Sequence, residues 1–114
     1  MSGVYPDDPN HAIPRIGVID LVSEEDNGDL LCGLIIAKPL GSDRESLSRM
    51  VQKAENYIRE LGTIARDHRV RVDVVVHPLS DPAALKVIEE CCNWMRDSAI
   101  LCTVSTLNLT ENEL

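Results

Sequence analysis

The chain has 114 residues, a net charge of −8, and a composition of 44% hydrophobic and 26% charged residues, which fits one folded domain and excludes a disordered chain. It has no Phe, one Trp and two Tyr, and no stretch concentrates its 11 Lys and Arg residues. Proteins that bind nucleic acid use a positively charged surface, and those that bind single strands add aromatic side chains on which bases stack. We therefore expect no nucleic-acid partner, and the same charge argues against an anionic membrane surface.

The sequence also bears on compartment and on metal binding. No apolar run approaches the ~20 residues of a membrane-spanning helix, and the first residues have neither the basic start nor the apolar core of a signal peptide. We therefore expect a cytoplasmic protein whose four cysteines are free thiols. They form no C-x-x-C pair and have no paired His spacing, so they are interpreted as small buried hydrophobic residues, with no metal and no cofactor.

The first third of the chain predicts an extended leader and a hairpin. Residues 1–14 hold three prolines and no periodicity, which is typical of an extended segment. The β-branched run 16–22 predicts a first strand, and Asn27-Gly28 predicts the hairpin turn, because both residues tolerate positive φ. The second strand is expected over 29–37. Its apolar residues do not alternate with polar ones, so we expect both of its faces to be covered.

A long helix is expected next. Ser42 and Glu45 have the spacing of a capping box, which favours a helix that begins there. Apolar residues recur at spacings of three and four over 47–65 and form one stripe. The charged residues of this segment, among them Arg49 and Lys53, fall largely off that stripe.

A third strand and a second helix follow. The alternating run 70–76 predicts a strand with its valines on the buried face and with Arg71 and Asp73 on the other. Asp81 (or Ser80) as cap and Pro82 as first residue predict a helix, which ends near residue 97.

These elements define an architecture. A fourth strand is expected over 99–107, so the domain covers 15–107 and is followed by an acidic tail, 108–114. The order β-β-α-β-α-β predicts an α/β (α+β) fold, a two-layer sandwich. Its mixed four-stranded sheet carries both helices on one face if the two crossover connections move along the sheet in the same direction.

Two residues are weak candidates for ligand binding. His77 follows a strand inside the sheet, and ligands often bind at the carboxyl ends of parallel strands. It lacks a Ser, Cys or carboxylate at a recognisable spacing and precedes Pro78, which favours a simple turn. Asp20 lies among apolar residues, where a perturbed pKa is more frequent, but it fits a solvent-facing edge equally well. No Gly-rich phosphate loop or nucleophile elbow is present, so we assign no catalytic residue and expect no enzyme.

The placed elements carry a resemblance. It rests on Val18-Ile19-Asp20 in the hairpin, Gly28-Asp29-Leu30 at the return strand, residues 51–58 of the long helix, the Val-rich third strand and the Pro-containing start of the second helix. In these features the sequence resembles a family of short uncharacterised bacterial proteins over residues 15–107. The resemblance implies the fold and a bacterial origin, and it implies no activity, cofactor or catalytic residue.

Three functional hypotheses follow. The first is a non-enzymatic interaction or accessory module that associates with another copy, as a homodimer, or with a protein partner through an uncovered sheet face, because two helices cover only one face. The second is a small-molecule binder or enzyme with a site near His77 and the loop 38–42. The third is an acidic inhibitor or immunity-type protein that blocks a basic partner, which fits the charge of −8.

Overall fold

The computed structural model describes residues 5–108 and contains one four-stranded sheet and two helices in the predicted order β-β-α-β-α-β. β1 pairs antiparallel with β2, and β2, β3 and β4 are parallel, so the sheet is mixed as expected. The strands are β1 Leu21–Glu24, β2 Leu30–Ile36, β3 Val70–Val76 and β4 Leu101–Thr106, and the helices are α1 Arg44–Leu61 and α2 Pro82–Asp97.

The strand order across the sheet is β1-β2-β3-β4, the same as the order along the chain. The two crossover connections therefore move along the sheet in one direction, as the sequence predicted. α1 packs against α2, and α2 packs against β4. One face of the sheet is buried with them in a single core, to which the strands contribute the alternating residues Cys32, Leu34, Ile36, Val70, Val72, Val74, Val76 and Cys102.

The first strand lies later in the chain than the predicted 16–22, and the cause is a side chain of α1. The Tyr57 hydroxyl donates to the Gly33 carbonyl at 2.7 Å and accepts from the Asp20 amide at 2.9 Å, so it stands where the two strands would otherwise pair. One Asp20 carboxylate oxygen then accepts from the Ile35 amide at 2.9 Å. Because these groups are already satisfied, the β1–β2 ladder begins at Leu21.

The hairpin uses one residue with positive φ where two were expected. Gly28 has φ +90°, whereas Asn27 does not have positive φ and its side-chain oxygen accepts from the Asp29 amide at 3.0 Å. The turn is also closely packed, since a Cβ at residue 28 would lie 2.7 Å from the His68 ring. Glycine is therefore required here both by φ and by contact.

The helix caps are formed by aspartates. α1 begins one residue later than the capping box predicted: Asp43, and not Ser42, accepts from the Ser46 amide, while Glu45 pairs with Arg49. The hydrogen bonds from the hydroxyl and the amide of Ser46 lower the pKa of Asp43. At α2 the predicted cap is confirmed, with Asp81 accepting from the Ala83 amide and Pro82 as the first helical residue.

α1 carries a second buried stripe that is polar. Its members share one face at spacings of three and four: Ser46, Arg49, Lys53 and Asn56. The segment 5–20 makes hydrogen bonds with the first three of them. The Arg49 guanidinium, 2% exposed, donates to the carbonyls of Ile13 and Pro6 at 3.0 and 2.8 Å. Arg49 and Lys53, which lie off the apolar stripe, are therefore also buried in the interior.

Lys53 makes the second attachment of this segment. Its ammonium group donates to the Arg15 carbonyl and forms an ion pair with the Asp20 carboxylate at 2.6 Å. Residues 5–14 contain no helix or strand, yet Ala12 and Ile13 are buried in the core. The division into leader, domain and tail stays a prediction, and the tail beyond residue 108 lies outside the described residues.

Candidate interaction surface

The side of the sheet opposite the helices is the candidate site, and we call it the open face. Leu31, Arg71 and Leu101 form one row across β2, β3 and β4, and Asp73 and Thr103 belong to the next. Leu31 is 45% exposed and Leu101 is 51% exposed. Within residues 5–108 neither helix packs on these rows, so this face presents apolar side chains to solvent.

A groove of about 640 Å³ runs along the open face, and arginines line it. Neither Arg69 nor Arg71 makes a side-chain hydrogen bond or ion pair with any described residue. The Asp73 carboxylate accepts from the hydroxyls of Thr103 and Ser105 at 3.0 and 2.9 Å. The groove is therefore locally cationic on a chain whose net charge is −8.

Part of this surface was readable from the sequence. Alternation in the third strand placed Arg71 and Asp73 opposite the core valines, and the structure agrees. Arg69 and Arg96 also line the groove and were missed. Arg69 stands one residue before β3, in the same alternation as Arg71, and that spacing was the available signal.

The structure places His77 in a local turn. Its Nδ1 atom accepts from the Leu79 amide at 3.1 Å, and its carbonyl accepts from the Ser80 amide. Leu40, in the loop expected to form the site with it, is fully buried and is hydrogen-bonded to the next loop through Ser80 and Asp81. A strand order without reversal also lacks the switch point at which ligand crevices open in α/β sheets. Ligand binding by His77 stays a prediction.

The structure gives Asp20 a structural set of partners. One carboxylate oxygen pairs with Lys53 and the other accepts from the Ile35 amide. A second groove, of about 420 Å³, lies beside it and is also lined by His11, Arg15 and Lys38. Asp20 and His77 are not brought together, and ligand binding by Asp20 also stays a prediction.

Near this second groove, three hydrogen-bonded side chains have the residue types of a catalytic triad, but their hydrogen bonds run in the wrong direction for one. The His11 Nδ1 atom accepts from the Ile13 amide, so its Nε2–H donates to the Ser46 hydroxyl at 3.0 Å. The Ser46 hydroxyl in turn donates to Asp43 at 2.6 Å. His11 therefore has no free lone pair to accept the Ser46 proton, and the arrangement caps α1 without activating a nucleophile.

All four cysteines are free and buried, as predicted. No cluster of metal-ligating side chains occurs within the part of the chain that the structure describes. Burial raises the pKa of Cys32, and burial with the nearby Cys92 raises the pKa of Cys91 to about 12. A hydrogen bond between Cys92 and Cys102 lowers the pKa of Cys92 and raises that of Cys102.

The buried Cys91 thiol makes stability sensitive to alkali. Its pKa is about 12 in the folded protein against 9.0 for a free thiol, so the folded state holds the proton that the unfolded state releases. The free energy of unfolding should therefore fall as pH rises above about 9, and Cys91→Ala should reduce this slope, by up to ~1.4 kcal/mol per pH unit. Urea titrations of both proteins between pH 7 and about pH 10 measure it, and equal slopes would contradict it.

Comparison with known proteins gives little. No family model matches the chain, and no curated protein is similar to it. A solved structure of the "CdiA-CT/CdiI toxin and immunity complex from Yersinia pseudotuberculosis" is similar with 9% sequence identity and a TM-score of 0.48, over 95% of this chain and 92% of that chain. A likeness of this size carries no functional argument. In the described residues no helix is long and apolar enough to cross a membrane.

Proposed function

We propose that the protein is a non-enzymatic interaction module whose open face binds a partner protein through carboxylate side chains set among apolar residues. The row Leu31–Arg71–Leu101 carries the proposal, because it places an unpaired guanidinium between two half-exposed leucines. Arginine matches a carboxylate with two parallel hydrogen bonds, and the flanking leucines keep water from that pair.

The charge of the groove also decides between occupants. Packing the open faces of two copies together would bury Arg69 and Arg71 of both, and the groove offers one carboxylate per copy, that of Asp73, to pair with them. Burying unpaired guanidinium groups is costly, so self-association through this face is the weaker proposal. A basic partner, as the inhibitor hypothesis requires, would meet Arg69 and Arg71 directly.

The test is selection of short random peptides displayed on phage against the full chain. We expect the selected peptides to be enriched in Asp or Glu next to Leu, Ile or Val, and to perturb the amide signals of residues 31, 71 and 101 in NMR spectra. Arg71→Ala should weaken their binding about tenfold, because one charge-assisted pair is lost.

The matched control is Arg66→Ala, which removes an exposed arginine from the turn after α1. Selected peptides without acidic residues would contradict the proposal. So would peptides that bind the Arg71→Ala and Arg66→Ala variants equally well.

A further inference from the structure

We propose that β4 is a pairing edge, and that a second copy of the chain adds its own β4 antiparallel to it about a two-fold axis through Ser105. This surface is the outer edge of the sheet, and the residues whose backbone groups it uses, Val104 and Thr106, do not line the groove of the open face, so the inference does not depend on the proposed function.

The two edges of the sheet differ in how they are protected. β1 has four residues, ends at Glu24 and leads into the acidic hairpin, and short charged strands resist pairing. β4 has six residues, Leu-Cys-Thr-Val-Ser-Thr, with no charge, no proline and no glycine. Five of these six are exposed. Proteins usually guard such an edge with charges, prolines or bulges, and within β4 only the Cys102 carbonyl is covered, by Arg96, so the rest of the edge is suited to pairing with another strand.

The register follows from which backbone groups point outward. The Leu107 amide donates to the Val76 carbonyl at 2.7 Å, so the odd-numbered residues of β4 turn their N–H and C=O groups toward β3. Cys102, Val104 and Thr106 therefore turn theirs outward. The Arg96 guanidinium already occupies the Cys102 carbonyl, at 2.9 and 3.2 Å.

Val104 and Thr106 are thus the residues of β4 whose outward N–H and C=O groups are both uncontested. If pairing is confined to β4 itself, an antiparallel second β4 satisfies all four groups when Val104 lies opposite the other copy's Thr106, and the reverse pair repeats by symmetry. That register sets the axis through Ser105. An axis through Val104 would instead pair Thr106 with the carbonyl that Arg96 holds.

The second copy is favoured over an unrelated strand because the pattern is self-complementary. The N–H and C=O groups of Val104 meet those of Thr106 in the other copy, and the reverse. β4 has no charged side chain, so no like charges face each other across the axis. With the axis perpendicular to the sheet, the two open faces lie on the same side of an eight-stranded sheet. Both cationic grooves would then face one partner.

Sedimentation equilibrium of the full chain tests the edge. Val104→Pro removes an outward N–H without touching the bonds to β3, while Val104→Thr keeps the N–H and the side-chain shape. We expect the wild type and Val104→Thr to self-associate alike, and Val104→Pro to do so about tenfold more weakly, since two of four hydrogen bonds are lost. Added salt should strengthen self-association, because it screens the repulsion between two chains of charge −8.

Cross-linking tests the register and does not depend on a proline variant that folds. The axis places the two Ser105 residues directly opposite, as a non-hydrogen-bonded pair with Cα atoms ~4.5 Å apart, which suits a disulfide. Ser105→Cys should therefore form an intermolecular disulfide on mild oxidation. Thr103→Cys, which also loses one hydrogen bond to Asp73, should not.

Four outcomes would overturn the inference: a wild type that is monomeric at millimolar concentration; self-association that is as strong in Val104→Pro as in Val104→Thr; equal cross-linking at residues 103 and 105; or self-association that is lost in Leu31→Glu and unchanged in Val104→Pro. The last would place the second copy on the open face. Failure of the peptide selection alone would contradict only the proposed function.

Discussion

Lys53→Met is expected to lower the free energy of unfolding by about 3 kcal/mol, because it breaks a largely buried ion pair while leaving its partner in place. Lys53 is 1% exposed, and its ammonium group donates to both the Asp20 carboxylate and the Arg15 carbonyl. Methionine keeps the volume of the side chain but donates no hydrogen bond to either group. Asp20 retains some contact with water, which places the expected loss at the lower end for such pairs. Urea denaturation measures it.

Lys86→Met is the matched control, since Lys86 is an exposed residue of α2. It should change the free energy of unfolding by less than about 0.5 kcal/mol. The double variant Lys53→Met with Asp20→Asn should lose less than the sum of the two single variants, because the charge is no longer left alone. Additive losses, or equal losses in the two lysine variants, would show that the ion pair does not hold the segment.

Tyr57→Phe is expected to lower the free energy of unfolding by about 2 kcal/mol, although it deletes a single oxygen atom. That hydroxyl bridges the Asp20 amide and the Gly33 carbonyl, so its removal leaves a donor and an acceptor unpaired in an interior site. Burial raises the pKa of Tyr57, in keeping with a site that water does not reach. Chemical denaturation gives the total effect. Faster hydrogen exchange at the Asp20 amide locates it.

Tyr5→Phe provides the comparison. The Tyr5 ring lies 5.5 Å from the Arg49 guanidinium, an interaction that phenylalanine keeps, and the Tyr5 hydroxyl makes no hydrogen bond with any residue of the range 5–108. Its free energy of unfolding should stay within about 0.5 kcal/mol of the wild type. If both Tyr→Phe variants lose the same free energy of unfolding, the bridge made by the Tyr57 hydroxyl is not the reason that the β1–β2 ladder begins at Leu21.

The fold was predictable because its main signals are local. Alternation in 70–76, the Asp81-Pro82 helix start and the apolar stripe of α1 each depend on residues close in sequence. The position of β1 was not predictable in this way. It depends on Tyr57, which lies 37 residues later in the chain and whose hydroxyl accepts a hydrogen bond from the Asp20 amide.

The candidate site was predictable in part for the same reason. The alternation of the third strand predicted that Arg71 points away from the core. It could not show that its guanidinium has no partner among residues 5–108, because that depends on the folded surface. Arg49 and Lys53 show the opposite case. Hydrophobic periodicity identifies the apolar stripe of a helix, and it gives no sign when a segment without periodicity buries a polar stripe through its own carbonyl groups.

The order of the strands across the sheet also bears on synthesis at the ribosome. Every strand after β1 pairs with the one made before it, so no strand waits for a distant later segment to become its neighbour. The carbonyl groups that Arg49 and Lys53 require have likewise emerged before α1 does. The strands can therefore pair in the order in which they are synthesised. β4 is then the last strand of the described sheet to join, and its outer edge pairs with no other strand among the described residues.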